Sequence, residues 1–166
     1  VDGRELELTR SRMWCNEASQ HSAALYIGPD ALGVKLKWID LVSNDAPEAG
    51  STLLSDASSQ ISIVNFVSVA SSTEIMLWAA TMGNVNYGVT RNWNGEIWGG
   101  YLGAGAGVID GGDQHVSVTC DGDPSNDDFT LRADAEAIDA ANPADGTESD
   151  GTPHQAGSNG GAEGPW

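Results

Sequence analysis

The chain has 166 residues, enough for one domain with a buried core, and its 24 acidic against 7 basic residues give a net charge of −17. Such a charge repels phosphate backbones and anionic lipids, so we predict no nucleic-acid partner. No stretch approaches the roughly 20 apolar residues of a membrane span. Because the chain begins at Val1 without an initiator Met, we expect a processed piece of a longer secreted precursor.

Short alternating apolar segments recur along the first half of the chain. Leu6-Glu-Leu8 aligns with Val34-Lys-Leu36 at a shift of 28 residues, which also carries Asn16 onto Asn44. Ile61-Ser-Ile63 follows Val34 by 27 residues, and Val85-Asn-Tyr87 follows Ile61 by 24. A second series of segments lies between them, at Leu25-Tyr-Ile27, Thr52-Leu-Leu54 and Ile75-Met-Leu77-Trp78. Self-similarity at a near-constant period is the signature of a repeat architecture.

These periods predict a coil of short parallel strands in which each strand pairs with its equivalent one turn further on. Asn16 and Asn44 are then either an amide ladder inside the coil or two unrelated turn residues. A β-sandwich is the competing fold, although it requires no fixed shift between equivalent residues. The 28-residue shift also places Arg10 on Trp38, Arg12 on Asp40 and Glu7 on Lys35. We expect a ladder salt bridge from Glu7 to Lys35.

The C-terminal third carries a recognisable run of residues. It reads Asp128-Phe-Thr-Leu131, then Ala137-Ile-Asp-Ala140 and Asn142-Pro143, then an Asp/Gly-rich end. The run resembles the closing segment of secreted bacterial right-handed parallel β-helix proteins of the pectate-lyase-like superfamily. It departs from the family pattern at Ala135-Glu136, Ala141 and Ser158, where that pattern has Ser-Pro, Gly and an aromatic residue.

The resemblance implies the C-terminal portion of an all-β, right-handed parallel β-helix, with four to five short turns and an irregular, acidic, Gly-rich C-terminal cap. We expect one domain over residues 1–166, divided into repeat turns (5–83), loop-rich last turns (84–120) and an acidic capping tail (121–166). Helix propensity is high over residues 132–142, but the resemblance favours an extended segment there with at most a short helical turn. It also implies secretion, or a place on the cell surface.

Alternating oxygen ligands in the tail suggest a cation site. Carboxylates and hydroxyls at this spacing suit Ca²⁺, although the run lacks the Gly and Glu of an EF-hand loop. The competing reading is a set of solvated turn residues. The candidate ligands are Asp121, Asp123, Ser125, Asp127 and Asp128. Asp145, Glu148 and Asp150 form a second acidic loop with a weaker claim.

Other site patterns are missing from the sequence. Val108 stands where a dinucleotide-binding Gly-rich loop needs Gly, and no P-loop Lys follows. The histidines lie far apart, without zinc-ligand spacing, and no Gly-x-Ser-x-Gly elbow marks a nucleophile. We therefore assign no catalytic residue.

Six Trp residues are many for this length. Aromatic rings on an elongated β-surface stack on sugar rings, whereas the alternative is that they fill corners between sheets. The candidates for glycan stacking are Trp38, Trp93, Trp98 and Tyr101. Cys15 and Cys120 form either one disulfide or a free buried pair.

Together these observations predict a non-catalytic extracellular structural or adhesive module. The first turn begins at Glu5 without an obvious cap, so we expect it to be covered either by an upstream region of the precursor or by another subunit. In the second case the module would self-associate end to end, as in a filament or surface layer. The alternatives are a carbohydrate-active β-helix, with a groove joining Arg10 or Arg12 to Trp38 and several acids, and a virion surface or tail-spike component.

Overall fold

A computed structural model of the chain describes residues 4–20, 22–47, 52–56, 60–69, 77–81, 83–91, 98–100 and 102–160. These residues form an all-β fold whose helical content is two short 3-10 helices, Pro124–Asn126 and Pro143–Asp145. The strands in chain order are β1 (Arg4–Trp14), β2 (Leu25–Ile27), β3 (Ala31–Val42), β4 (Leu53–Ser55), β5 (Ile61–Val69), β6 (Leu77–Ala79), β7 (Gly83–Arg91), β8 (Trp98–Gly100), β9 (Val108–Asp110), β10 (His115–Ser117) and β11 (Asp128–Leu131). None of the helices in the described ranges is long and apolar enough to cross a membrane.

Two parallel sheets alternate along the chain. The odd-numbered strands pair in the order β1-β3-β5-β7-β9, and the even-numbered strands pair in the order β2-β4-β6-β8. Each strand therefore hydrogen-bonds to the strand two places further along, and the chain visits both sheets once in every pass. We call each pass a coil, so β1 and β2 form the first coil. The predicted all-β class with parallel strands is confirmed, and it differs from the antiparallel sheets of a β-sandwich.

Each long strand turns a corner at one residue with positive φ. These residues are Arg10 (φ 48°), Trp38 (58°), Asn65 (57°) and Tyr87 (52°), and Gly107 (68°) continues the series in the last coil. The strand registers skip these corner residues while pairing the residues on either side. Left-handed backbone costs a non-Gly residue about 1–2 kcal/mol, so the ladder bonds on both sides of the corner must offset that cost in every coil.

The main core lies inside the coils. Before the corner the inward residues of β3 are Val34 and Leu36, and after it they are Ile39 and Leu41, all almost fully buried. β4 and β6 add Leu53 and Leu77 from the other sheet. The inward positions follow the period-two alternation of a strand on both sides of the corner, which explains why short alternating segments marked the sequence.

Of the two alternatives for Asn16 and Asn44, the structure shows the amide ladder. Asn16 Nδ2 donates to Asn44 Oδ1 at 2.7 Å, and Asn44 Nδ2 donates to the Met13 carbonyl at 2.9 Å. Asn44 is fully buried, so these bonds satisfy an amide that would otherwise be costly inside the fold. The side-chain amides of Asn16 and Asn44, at equivalent positions of the first two coils, therefore stack and bond to each other.

The registers confirm the 28-residue shift, including Leu6 opposite Val34 and Glu7 opposite Lys35. Lys35 forms its ion pair with Glu5 instead, at 3.8 Å. The alignment of Val85 with Ile61 was wrong, because Ile61 pairs with Gly83 and Val85 pairs with Ile63. A slip of two residues keeps the same side chains inward, so a period-two pattern does not reveal it.

Beyond β9 the chain leaves the parallel sheets. β10 and β11 pair antiparallel, and the residues that follow are turns and extended backbone with the 3-10 helix Pro143–Asp145. The high helix propensity of residues 132–142 does not produce an α-helix, but the segment is not extended either. It consists mainly of turns at residues 133–134 and 136–139, closed by bonds such as Ala135 N–H to the Arg132 carbonyl. We call residues 112–160 the C-terminal segment.

Candidate functional site

The C-terminal segment packs on the outer face of the five-stranded sheet. After each corner, alternate side chains point away from the coil interior, among them Val42, Val67 and Val89. They form a second, smaller core with Ala137 and Ala156 of the C-terminal segment, both fully buried. The segment therefore stabilises the side of the stack, and its small alanine side chains allow its backbone to approach the sheet closely.

Asp40 on β3 is the polar centre of this contact, and its side chain is fully buried. Its Oδ1 accepts a hydrogen bond from the backbone N–H of Ser158 at 2.9 Å. Its Oδ2 accepts one from Arg12 Nε at 3.2 Å and a short one from Ser158 Oγ. A buried carboxylate is stable only when it is paired and hydrogen-bonded, and these partners meet both conditions.

Arg12 connects the first coil to several parts of the C-terminal segment. It is the register partner of Asp40 on β1, and its Nη2 donates to Ser158 Oγ at 2.8 Å and to Asn159 Oδ1 at 3.3 Å. Its guanidinium carbon lies 4.1 Å from the centroid of the Phe129 ring, a cation–π contact. One arginine therefore fixes β3, β11 and the end of the described segment relative to β1.

His115 completes the surroundings of Asp40. Its Nε2 lies 3.5 Å from Asp40 Oδ2, and its imidazole is buried against the edge of Phe129. Burial by itself raises the pKa of Asp40, but His115 and the two hydrogen bonds from Ser158 outweigh it and hold the pKa below its ordinary value. Asp40 is therefore an ionised carboxylate at neutral pH.

Ser158, His115 and Asp40 are the residue types of a nucleophilic triad, but their arrangement differs from one. In a triad the imidazole accepts the serine proton and the carboxylate orients the imidazole. Here Ser158 Oγ donates directly to the Asp40 carboxylate, which is fully buried. The geometry suits a clamp that holds the C-terminal segment in place, with Asp40 as the shared acceptor.

A disulfide between Cys15 and Cys120 reinforces this clamp, with Cα atoms 5.1 Å apart. It joins the residue after β1 to the C-terminal segment and so settles the open question about the two cysteines. Next to it, Trp14 Nε1 donates to Asp127 Oδ2 at 2.8 Å, and the Trp14 ring meets Phe129 edge to face at 5.0 Å.

A second polar anchor lies near the corners of β3 and β5. Asn65 Oδ1 accepts from the backbone N–H of Asn142 at 2.7 Å, and Asn65 Nδ2 donates to Asp145 Oδ2 at 2.7 Å. Lys37 Nζ contacts the other oxygen of Asp145 at 2.6 Å. Asp145, part of the second acidic loop of the sequence, therefore binds the coil stack directly.

A cleft of about 580 Å³ runs beside the clamp and includes Arg12, Asp127, Asp128 and Phe129 in its lining. Two of its charged side chains have protein partners: Asp127 binds Trp14 and Thr119, and Arg12 binds Asp40. One face of the Phe129 ring carries Arg12, which occupies the surface that a sugar ring would stack on.

The predicted calcium ligands lie in or beside the turn between β10 and β11, where they bond to one another and to nearby groups. Asp121 accepts from Asn126, and Asp123 accepts from Ser125, and these bonds lower the pKa of each carboxyl group. Across the ranges that the structure describes, no three His, Cys, Asp or Glu side chains are grouped to hold a metal ion. The calcium site stays a prediction. These bonds support the alternative, in which the same residues stabilise a turn.

The predicted glycan-stacking residues do not form one described surface. Trp38 is buried, with its ring edge to face against His154 at 6.1 Å. Trp98 belongs to β8, and its side chain is outside the description; Trp93 and Tyr101 lie outside the described residues. Trp38 therefore fills a space between sheet and C-terminal segment.

The edge formed by β1 is a second candidate site. β1 is the first strand of its sheet and pairs with β3 on one side. Its inward Leu6 is 39% exposed, whereas the equivalent Val34 one coil further on is 1% exposed. An edge strand of eleven residues beside incompletely covered core residues is a template for pairing with another strand.

Comparisons of the chain with protein-family models, with curated proteins and with solved structures gave no match. The resemblance to pectate-lyase-like β-helix proteins therefore stays a prediction that rests on the residues quoted above.

The sequence did not predict that the residues of the clamp, Arg12, Asp40, His115 and Ser158, come together. The 28-residue shift had placed Arg12 beside Asp40, and the register confirms that pairing. Nothing in the repeat connected these two residues to His115 or Ser158, which lie outside the coils. One available signal was Asp40 itself. It is the acidic residue in the run Trp38-Ile39-Asp40-Leu41-Val42, whose other members are apolar, and a carboxylate in such a run requires a buried partner.

Proposed function

We propose that the chain is a right-handed parallel β-helix of four to five coils that serves as a non-catalytic, extracellular structural or adhesive module and self-associates end to end. The observation that carries the proposal is the edge of the first coil. Among the described residues no strand pairs with the outer side of β1, and its inward Leu6 is 39% exposed.

The strand order supports the β-helix. Two parallel sheets are visited alternately, and the same corner conformation recurs at Arg10, Trp38, Asn65 and Tyr87. Parallel strands joined by crossovers are right-handed in about 98% of cases, which supports the proposed hand. Stacked coils with shared corners make an elongated, rigid body that suits a structural role.

The clamp and the disulfide support an extracellular structural role. The charged side chains at the centre of the contact are bonded to each other, so they stabilise the fold and do not project toward a substrate. Disulfides form and persist in oxidising compartments, and Cys15–Cys120 fits the secretion that the sequence resemblance implies.

Self-association is tested by sedimentation velocity and electron microscopy of the purified chain across a range of concentrations, with Ca²⁺ or with chelator. We expect discrete or extended assemblies whose population rises with concentration. Loss of these assemblies on chelation would add a role for the acidic turn. A single-chain species at every concentration would contradict the proposal.

A carbohydrate-binding or carbohydrate-active role is the second candidate, because Arg12 does share a cleft with Asp127 and Asp128. Trp38 does not belong to the lining of that cleft, so the predicted groove is incomplete. Screening the protein on a glycan array and assaying lyase and hydrolase activity on polyuronates and neutral glycans would test this role. Glycan binding that is abolished by Gln155→Ala, a substitution in the lining of the cleft, would favour this role.

A further inference from the structure

We propose that the second polar anchor is a site of covalent self-modification, in which the side chains of Lys37 and Asn65 join in an isopeptide bond and release ammonia. The inference goes beyond the proposed structural function and does not depend on self-association. It starts from the row of contacts in which the Asp145 carboxyl group lies between the Lys37 amine and the Asn65 amide.

The strand register brings the amine and the amide to neighbouring positions of the stack. Lys37 on β3 pairs with Val64 on β5, and Asn65 is the next residue along β5. Asn65 is also the corner residue of its coil, with φ 57°, a backbone conformation that Asn adopts more readily than most residues. Hydrogen bonds at both ends of its amide hold that side chain in one orientation beside the neighbouring strand.

One carboxyl group contacts both nitrogen atoms that exchange protons in this reaction. Lys37 Nζ lies 2.6 Å from Asp145 Oδ1, and Asn65 Nδ2 donates to Asp145 Oδ2 at 2.7 Å. The exchange of one amide for another needs a base for the attacking amine and an acid for the leaving nitrogen, each within hydrogen-bond reach. Asp145 is placed to serve as both.

The carbonyl end of the Asn65 amide meets a backbone donor. The Asn142 N–H donates to Asn65 Oδ1 at 2.7 Å, so it stabilises the negative charge that develops on this oxygen when the amine attacks. Asn65 is fully buried, the Asp145 side chain is 20% exposed, and Lys37 Nζ lies 5.7 Å from the centroid of the Trp38 ring. Because little water reaches the amide, hydrolysis of the product is slow.

The reaction balances in atoms and electrons. The Asp145 carboxylate takes a proton from the Lys37 ammonium, and the lone pair of the resulting amine forms a bond to Asn65 Cγ while the carbonyl π pair moves onto Oδ1. The carboxyl group passes its proton to Nδ2, the Cγ–Nδ2 bond breaks, and its electron pair leaves with ammonia as the carbonyl re-forms. A second proton from Nζ converts ammonia to ammonium. The chain reacts once with itself and needs no oxidant or other reactant.

Lys35 provides a matched control within the same strand. Lys35 and Lys37 are the two lysines of the chain, and both lie on β3 before its corner. The Lys35 side chain is 60% exposed and pairs with Glu5 at 3.8 Å. Replacement of either lysine by arginine keeps the positive charge, but only the change at Lys37 removes the attacking amine.

Mass spectrometry of the reduced and denatured protein tests the proposal. We expect the mass of the wild type to be one ammonia below that of its sequence. Lys37→Arg and Asp145→Ala should each have the full mass of their sequences, the second although both joined side chains remain. Lys35→Arg should keep the loss of ammonia. Circular dichroism checks that the variants fold, because an unfolded variant would also fail to react.

A tryptic digest locates the bond in the wild type without any variant. Trypsin cleaves after a free Lys37, so an amide on this lysine should leave residues 36–91 as one peptide that is one ammonia lighter and contains both joined side chains. Cyclisation of an Asn side chain onto its own backbone also releases ammonia, but it leaves Lys37 open to cleavage. Fragmentation of the peptide should place the bond between Lys37 and Asn65.

The outcomes against the proposal are distinct. A wild-type mass equal to that of the sequence would overturn it, and so would a loss of ammonia with normal cleavage after Lys37. A loss of water that maps to Lys37 and Asp145 would overturn the assignment of Asn65 as the acceptor. A bond that persists in Asp145→Ala would overturn the role of Asp145 as proton carrier. None of these results bears on self-association, which sedimentation measures separately.

Discussion

The coil stack and the C-terminal segment are held together by different physical means. In the stack, each strand pairs with its equivalent in the next coil, and the same inward positions are apolar from one coil to the next. The C-terminal segment has two short strands, and it is fixed by single contacts to distant residues: a disulfide, a buried carboxylate and the side chain of Asn65. We therefore expect substitutions to have similar effects on stability throughout the coil stack. In the C-terminal segment, we expect large effects at only a few positions.

The largest expected effect is the loss of the disulfide. Cys15 and Cys120 are separated by 105 residues, and a cross-link closing a loop of that length is worth about 5 kcal/mol in the chain-entropy model. The double substitution Cys15→Ser/Cys120→Ser should lower the free energy of unfolding by a large part of that amount. Chemical denaturation of the two proteins measures it.

Reductant provides the matched control for the disulfide. It should destabilise the wild type by a similar amount and leave the double variant unchanged. Equal stability of the oxidised and reduced wild type would mean that the noncovalent contacts alone hold the C-terminal segment in place.

Asp40→Ala is expected to have the next largest effect. It removes the shared acceptor of Arg12 and Ser158 and leaves a partly buried guanidinium without its carboxylate. Removing one partner of a buried ion pair costs about 3–5 kcal/mol. Thermal unfolding should show this loss, and Asp134→Ala, which breaks an exposed pair with Arg132, should have little effect. Similar effects from the two substitutions would contradict the clamp.

The same contrast explains which features were predictable from sequence. Leu6 and Leu8 of β1 recur as Val34 and Leu36 of β3 at a fixed shift, because each coil needs apolar residues at the same inward positions. Periodicity alone therefore predicted the parallel pairing. The pairing of Ile61 with Gly83 was missed because the third coil is shorter than the second, with 22 residues from Ile61 to Gly83 against 27 from Val34 to Ile61. Leu102 supplies the side chain that Gly83 lacks. The partners of Asp40 were unpredictable because Ser158 lies 118 residues away and follows no repeat.

The smallest expected effect is the dependence of the clamp on pH. Because its surroundings hold the pKa of Asp40 below the ordinary value, its contribution to stability is fully present above the pKa of the unfolded chain and is lost as pH falls through the folded pKa. The wild type should therefore exceed Asp40→Asn in unfolding free energy at neutral pH, and the difference should shrink in acid. Urea titrations between neutral pH and strongly acidic conditions measure it.

Asp123 also has a lowered pKa, because Ser125 donates hydrogen bonds to its carboxylate, but its turn is exposed and solvent screens its charge. Asp123→Asn is therefore the control, because its difference from the wild type should remain small throughout the titration. If wild type and Asp40→Asn lose stability in parallel, the charge of Asp40 contributes nothing beyond its hydrogen bonds. Packing and the disulfide would then hold the C-terminal segment in place without a contribution from the charge of Asp40. The segment would differ from the coil stack only in how its chain is connected and paired.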